Sequence, residues 1–79
     1  MRADICQPDN DIAIERFKTT LKQLGATSVG KSWGIGVDVL ELQIGSEMLT
    51  VFSDAWSVDI EGPEHLIQEV LRHFKQQDS

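Results

Sequence analysis

The first clear pattern along the chain is an apolar stripe of helical period in residues 11–24. Hydrophobic residues recur there at steps of three and four, at Ile14, Phe17, Leu21 and Leu24, which is the spacing of one face of an amphipathic helix. Asn10 or Asp11 can cap the N-terminus. Gly25 follows the last apolar position, where a left-handed C-cap is common. We therefore predict a helix over 11–24.

After this helix the pattern changes to the two-residue alternation of β-strands. It predicts strands at 28–33, 37–44, 48–53 and 56–60, separated by short turns at 34–36, 45–47 and 54–55. The first of these strands has the weakest pattern. In the last, we expect Trp56, Val58 and Ile60 to share one face. In 48–53 both alternations contain apolar residues, so the pattern leaves open which face is buried.

A second amphipathic helix is predicted after residue 62, since Pro63 and Glu64 suit a first helical turn. Its apolar face is broad and comprises Leu66, Ile67, Val70, Leu71 and Phe74. The order of helix, three or four antiparallel strands and helix predicts an α+β fold with both helices on one sheet face. Residues 1–9 show no periodic pattern and are predicted to be a flexible arm. The single domain then spans 10–76, and 77–79 form a frayed tail.

Composition and charge restrict the classes of partner. The chain has 79 residues, of which 41% are hydrophobic and 25% charged, as in one small globular domain. The net charge is −6, and every Lys and Arg lies in 2–31 or 72–75. The formal charges in between are all negative, which repels a phosphate backbone. We expect no nucleic acid and no anionic membrane, but a protein partner with a basic surface.

The cysteine content and the hydropathy pattern favour a soluble, cytoplasmic protein. Cys6 is the only cysteine, so no internal disulfide can form. No apolar run approaches the roughly 20 residues of a membrane span, and the N-terminal residues have no secretory h-region. The pattern places no activating base beside Cys6, so the sequence does not predict a nucleophile there.

Residues 25–32 read GATSVGKS, which matches the G-x-x-x-x-G-K-S pattern of the phosphate-binding P-loop. A P-loop needs a strand before the glycines and a helix after them. Here a predicted helix comes first and strand-type sequence follows. Gly25 is explained by the helix end, and Gly30 by a bulge or bend. Nucleotide binding through Gly30, Lys31 and Ser32 is therefore kept only as the alternative function.

Other chemical signals are weaker. His65, Glu69 and His73 follow one another at four-residue steps along one ridge of the second helix. Two neighbours with this spacing can hold a divalent ion, but three ligands along two turns cannot converge on one. A solvated ridge with ion pairs is the simpler interpretation. No two carboxylates are marked as sharing an apolar pocket. We predict no enzyme, no metal and no cofactor.

The remaining candidate is the sheet face that the helices leave open. If Leu40, Leu42 and Ile44 face the helices, Val39 and Glu41 point outward, and strand 48–53 leaves hydrophobic side chains outside in either orientation. An apolar centre with an acidic rim is typical of a protein-interaction surface. We predict that this face binds a protein partner or a second copy of the chain, as in an adaptor or a protein inhibitor. The predicted contact residues are Trp33, Val39, Glu41, Phe52, Asp54, Asp59 and Glu61.

Trp33 is the candidate anchor of that surface, because aromatic residues often carry interface energy. The competing interpretation is that Trp33 belongs to the core. The exposed hydrophobic residues would then be the scattered ones that any sheet face carries.

Overall fold

The computed structural model describes residues 1–34 and 36–76 and has two helices and a five-stranded antiparallel sheet in strand order β1-β5-β4-β3-β2. The predicted α+β fold is confirmed, although the sheet has five strands rather than three or four. Ile35 in the predicted turn and the predicted tail 77–79 lie outside the described residues. The elements are β1 Arg2–Cys6, α1 Asp11–Gln23, β2 Thr27–Gly34, β3 Val37–Ile44, β4 Glu47–Asp54, β5 Val58–Glu61 and α2 Glu64–Gln76.

The N-terminal residues form an edge strand, which corrects the predicted flexible arm over 1–9. β1 pairs antiparallel with β5, and Asp4 lies opposite Asp59. The strand alternates polar and apolar residues, and Ala3 and Ile5 pack against the core. Five residues are too few for this alternation to stand out in the sequence. The partner strand, distant along the chain, supplies the ladder that stabilises them.

α1 begins and ends within one residue of its predicted bounds. The side chain of Asn10 accepts a hydrogen bond from the backbone N–H of Ala13 at 3.1 Å, as an N-cap residue does. Gly25 has φ of 75° and donates its N–H to the Lys22 carbonyl at 3.1 Å, and Ala26 donates to the Leu21 carbonyl at 3.0 Å. These two bonds form a Schellman motif, which ends the helix and leads into β2.

The register of the hairpins determines which side chains face the helices. Ile44 pairs with Glu47 across a two-residue turn, in which Gly45 has φ of 63°. Leu42 lies opposite Leu49. The register of β2 on β3 shifts between Ser28 and Gly30, so a bulge occurs where the glycine suggested one.

The core lies between the inner sheet face and both helices. In β4, Leu49 and Val51 point inward and Met48 and Phe52 point outward. The alternation in the sequence did not indicate which of these two faces is buried. The rings of Phe17 in α1 and Phe74 in α2 meet edge to face, with centroids 6.4 Å apart. Because both helices contribute to one cluster, they cover the same face. The buried cluster is Phe17, Leu42, Leu49, Val51, Val58, Ile60, Leu66, Ile67 and Val70.

The prediction for Trp56 is wrong. Trp56 precedes β5, and the residue is 84% exposed instead of sharing the buried face of Val58 and Ile60. The reason is local, because Asp54 Oδ1 accepts hydrogen bonds from the backbone N–H groups of Trp56 and Ser57, each at 2.8 Å. This Asx turn shifts the start of β5 past the tryptophan.

Two isoleucines provide a matched test of this core. Ile67 is 0% exposed, whereas Ile12 is 69% exposed. We expect Ile67→Ala to lower the free energy of unfolding by about 2–5 kcal/mol, because it removes buried atoms and leaves a cavity. Ile12→Ala should change it by less than about 0.5 kcal/mol, as is usual at surface positions. Urea denaturation measures both, and equal effects would contradict the assignment of the core.

Candidate functional site

The sheet face opposite the helices, which we call the open face, carries the outward side chains of the paired strands. Antiparallel partners point to the same side of a sheet, so the register defines this surface. β1 contributes Arg2 and Asp4. The outward residues of the next three strands are Asp59 and Glu61 of β5, Met48, Thr50, Phe52 and Asp54 of β4, and Val37, Val39, Glu41 and Gln43 of β3. β2 adds Ser32, which lies opposite Val39.

The structure brings together five of the seven predicted contact residues. Val39 lies opposite Phe52, and Phe52 lies opposite Asp59, so the three form one row across the sheet. In the next row Glu41 and Glu61 flank Thr50. Val39 and Phe52 are half-buried, and the two glutamates are exposed. An apolar pair therefore lies beside exposed carboxylates.

The other two predicted contact residues lie outside these two rows. Asp54 is half-buried and pairs with Val37 at the end of β4, while its Oδ1 is engaged in the Asx turn. In β2 the backbone of Trp33 pairs with Asp38 of β3, a position that alternates with the outward Val37 and Val39. The side chain of Trp33 lies outside the described residues, so its role as an anchor stays a prediction.

Arg2 introduces a positive charge that the sequence pattern did not place on this face. Its Nη2 and Nε donate to Asp59 Oδ2 at 3.0 and 3.3 Å. Its guanidinium carbon also lies 4.5 Å from the centroid of the Phe52 ring, a cation–π distance. Arg2 therefore covers both residues, and Asp59 is only 9% exposed although it points outward as predicted.

Asp4 and Asp59 form a pair of carboxyl groups directly opposite each other in the β1–β5 ladder. Asp59 Oδ1 is buried and, with Asp4 ionised, has no hydrogen-bond partner among the described residues. When Asp4 is protonated, its carboxyl group can donate a hydrogen bond to Asp59. The pKa of Asp4 is accordingly raised, first by its hydrogen bond to Asp59 and next by repulsion from that charge. The pKa of Asp59 is lowered, first by the hydrogen bond from Asp4, which together with hydrogen bonds from Arg2 and Ser57 outweighs desolvation.

Beside this pair the open face ends in a shallow groove of about 320 Å³, which we call the corner groove. It is lined by Asp4, Ile5, Cys6, Gln7, Trp56 and Ser57. Trp56 also borders a second depression, formed with Pro8, Asp9 and their neighbours. Burial raises the pKa of the Cys6 thiol, so the groove has a neutral thiol at neutral pH.

No protein-family model matches the chain, and no curated protein or solved structure is significantly similar to it.

The segment 25–32 does not have the strand–loop–helix order of a P-loop. α1 precedes it, and Gly30, Lys31 and Ser32 lie within β2. A Cβ atom on Gly30 would lie 3.1 Å from Glu41 Oε2. A carboxylate therefore lies over the glycine, where a P-loop would bind a phosphate.

The histidine ridge of α2 is divided between two sets of contacts. His65 Nε2 pairs with a carboxylate oxygen of Glu47 on β4, whereas Glu69 lies 4.0 Å from His73 and 3.9 Å from Arg72. Within residues 1–34 and 36–76, no three side chains of His, Cys, Asp or Glu are grouped as metal ligands would be. Neither helix in this part of the chain is long and apolar enough to cross a bilayer.

Sequence reasoning missed three residues of this region, namely Arg2, Asp4 and the exposed Trp56. For β1, the alternation of Arg2 and Asp4 with apolar neighbours is too short to distinguish a strand from a flexible segment. For Trp56 the signal was Asp54 two residues earlier, because aspartate commonly accepts backbone N–H bonds in a turn.

The carboxyl pair makes a specific prediction for stability against pH. A raised pKa stabilises the folded state at low pH, and this contribution is lost as the pH rises through the folded-state pKa of Asp4. Asp4→Asn keeps a neutral donor opposite Asp59 at every pH. Its free energy of unfolding relative to the wild type should therefore increase as the pH rises from the ordinary carboxyl value of 3.8 through that raised pKa.

Urea denaturation at a series of pH values measures this difference, and Asp9→Asn is the matched control for the loss of one negative charge in the same segment. Asp59 has a lowered pKa and therefore stabilises the folded state of both the wild type and Asp4→Asn. This stabilisation is lost in both proteins as the pH falls through the folded-state pKa of Asp59. A constant difference between Asp4→Asn and wild type across the range would exclude a shared proton.

Proposed function

We propose that this protein is a small, acidic, non-enzymatic interaction module, an adaptor or a protein inhibitor, whose open face binds a protein with a basic surface. The observation that carries the proposal is the half-buried pair of Val39 and Phe52 beside the exposed carboxylates of Glu41 and Glu61. An apolar centre with a polar rim is the usual anatomy of a protein interface.

The charge of the open face supports a basic partner. Five carboxylates, those of Asp4, Glu41, Asp54, Asp59 and Glu61, share this face with the guanidinium of Arg2. Such an excess accelerates the encounter with a positively charged surface and disfavours an acidic one. Two copies of this chain would bring two acidic faces together, so a different, basic protein is favoured over a homodimer.

Arg2 influences which part of the face a partner can contact. It lies over the ring of Phe52 and pairs with Asp59, so these two residues are already partly covered. Val39 and Glu41 lie one strand further away, on β3, and remain accessible. We infer that the contact centres on β3 and β4.

The proposal includes a cytoplasmic location. It is supported by the single cysteine, Cys6, which is a free and half-buried thiol, because proteins of oxidising compartments usually form disulfides.

The test is affinity capture from a lysate of the source cells, followed by measurement of the dissociation constant with the purified partner. The double variant Val39→Ala with Glu41→Lys should weaken binding by about tenfold or more, because it removes apolar contact and reverses a charge. Glu15→Lys makes the same charge reversal on α1, on the helical side, and should bind like the wild type.

Circular dichroism checks that the variants remain folded. Binding that survives the double variant, or is lost equally in Glu15→Lys, contradicts the open face as the interface. Sedimentation analysis of the wild type distinguishes the two kinds of partner. A dimer that the double variant abolishes would replace the basic partner by a second copy of the chain.

A further inference from the structure

The corner groove combines an incompletely balanced charge with an exposed aromatic ring. Asp4 lines the groove, and its opposite neighbour Asp59 is nine-tenths buried. Arg2 engages only Oδ2 of Asp59, so Oδ1 is left without a partner when Asp4 is ionised. An unpartnered buried carboxylate oxygen is costly, because its lost hydration is not replaced.

The charged groups around this pair do not supply the missing positive charge. On β1 the neighbours of Asp4 are Arg2, which is committed to Asp59, and Cys6, whose raised pKa keeps its thiol neutral. On β5, Glu61 lies opposite Arg2 and adds negative charge. On β4, Phe52 is uncharged and Asp54 is engaged in the turn. The pair therefore carries one uncompensated negative charge whenever Asp4 is ionised.

Trp56 provides the second element of the site. Its side chain borders the groove and the residue is 84% exposed, an unusual position for so large an aromatic residue. The two hydrogen bonds to Asp54 Oδ1 fix the backbone that carries it. The indole ring is the best aromatic partner for a cation, and a fixed backbone reduces the entropy cost of binding.

We propose that the corner groove binds an arginine side chain of the partner protein. The guanidinium is planar, stacks on an aromatic ring and donates two parallel hydrogen bonds to a carboxylate, which matches the indole of Trp56 and the carboxylate of Asp4. A lysine ammonium offers a point charge without the stacking surface. This proposal rests on the proposed function, since it names the group by which a basic partner is recognised.

At pH values near and below the raised pKa of Asp4, arginine binding displaces the proton of this carboxyl group. The guanidinium binds the ionised form of Asp4, and the protonated form competes with it. The affinity therefore increases as the pH rises through the raised pKa of Asp4 and becomes constant above it. Below that pKa, the corner groove therefore releases one proton for each cationic side chain that it binds.

The experiment uses the full chain, isotope-labelled, and a short probe peptide, acetyl-Gly-Arg-Gly-amide. Nuclear magnetic resonance follows the indole N–H of Trp56 and the amides of Asp4 and Ser57 during titration. We expect saturable shifts at these positions. The same peptide with citrulline, a neutral isostere of arginine, should bind about tenfold more weakly. The lysine peptide should bind about threefold more weakly than the arginine peptide, because it cannot stack as well.

Two variants test the two halves of the site. Asp4→Asn keeps a donor opposite Asp59 but removes the charge, so it should weaken arginine binding about tenfold and abolish its pH dependence. Trp56→Leu should weaken binding about fivefold. Glu15→Gln, on α1 and away from the groove, is the control for net charge and should bind like the wild type. Amide spectra of the free variants show whether β1 remains paired.

Equal binding of the arginine and citrulline peptides overturns the proposal, as does wild-type affinity in Asp4→Asn or a lack of shift at Trp56. The double variant Val39→Ala with Glu41→Lys does not alter the groove and should bind the peptide normally. If the arginine peptide does not bind but the complex with the partner protein still forms, the proposal for the corner groove is wrong and the proposed function is unaffected. If the peptide binds but the double variant does not weaken the complex, the open face is not the interface.

Discussion

Burial of one sheet face under both helices is the interaction on which the rest of this structure depends. Leu49, Ile60, Ile67 and Val70 are fully or almost fully removed from solvent, and they join β4 and β5 to α2. A chain of 79 residues has material for one such layer. Because both helices are used on one side, the other side of the sheet is left to water, and the candidate surfaces all lie there.

The elements that could be predicted from the sequence are those with local signals. Both helices have a continuous apolar stripe, and Asn10 and Gly25 mark the ends of the first. The β3–β4 hairpin has alternation on both sides of Gly45. β1 could not be recognised in this way, since it is short and its partner is distant along the chain, with Arg2 and Asp59 57 positions apart. Trp56 was misplaced because the Asx turn of Asp54 outweighed the alternation.

The candidate site was predictable to the same extent as its strands. Alternation alone turns Val39 and Glu41 outward once β3 is recognised. The direction of Phe52 required the register of β4, which its doubly apolar pattern does not contain. Residues 32–71 contain no Lys or Arg. In space this lack is compensated in part by Arg2, which reaches the acidic face from a strand outside that range.

The edge position of β1 has a consequence for assembly of the chain. The hairpins of β2 to β5 form from residues close in sequence, whereas β1 must close a long loop to reach β5, which is slow and costs entropy. A short strand held in this way is expected to open more readily than the centre of the sheet. Its release would leave β5 as a bare edge with unpaired backbone groups, the usual starting point for strand exchange and aggregation. β1 therefore completes the corner groove and also covers the edge of β5, so that other chains cannot pair with it.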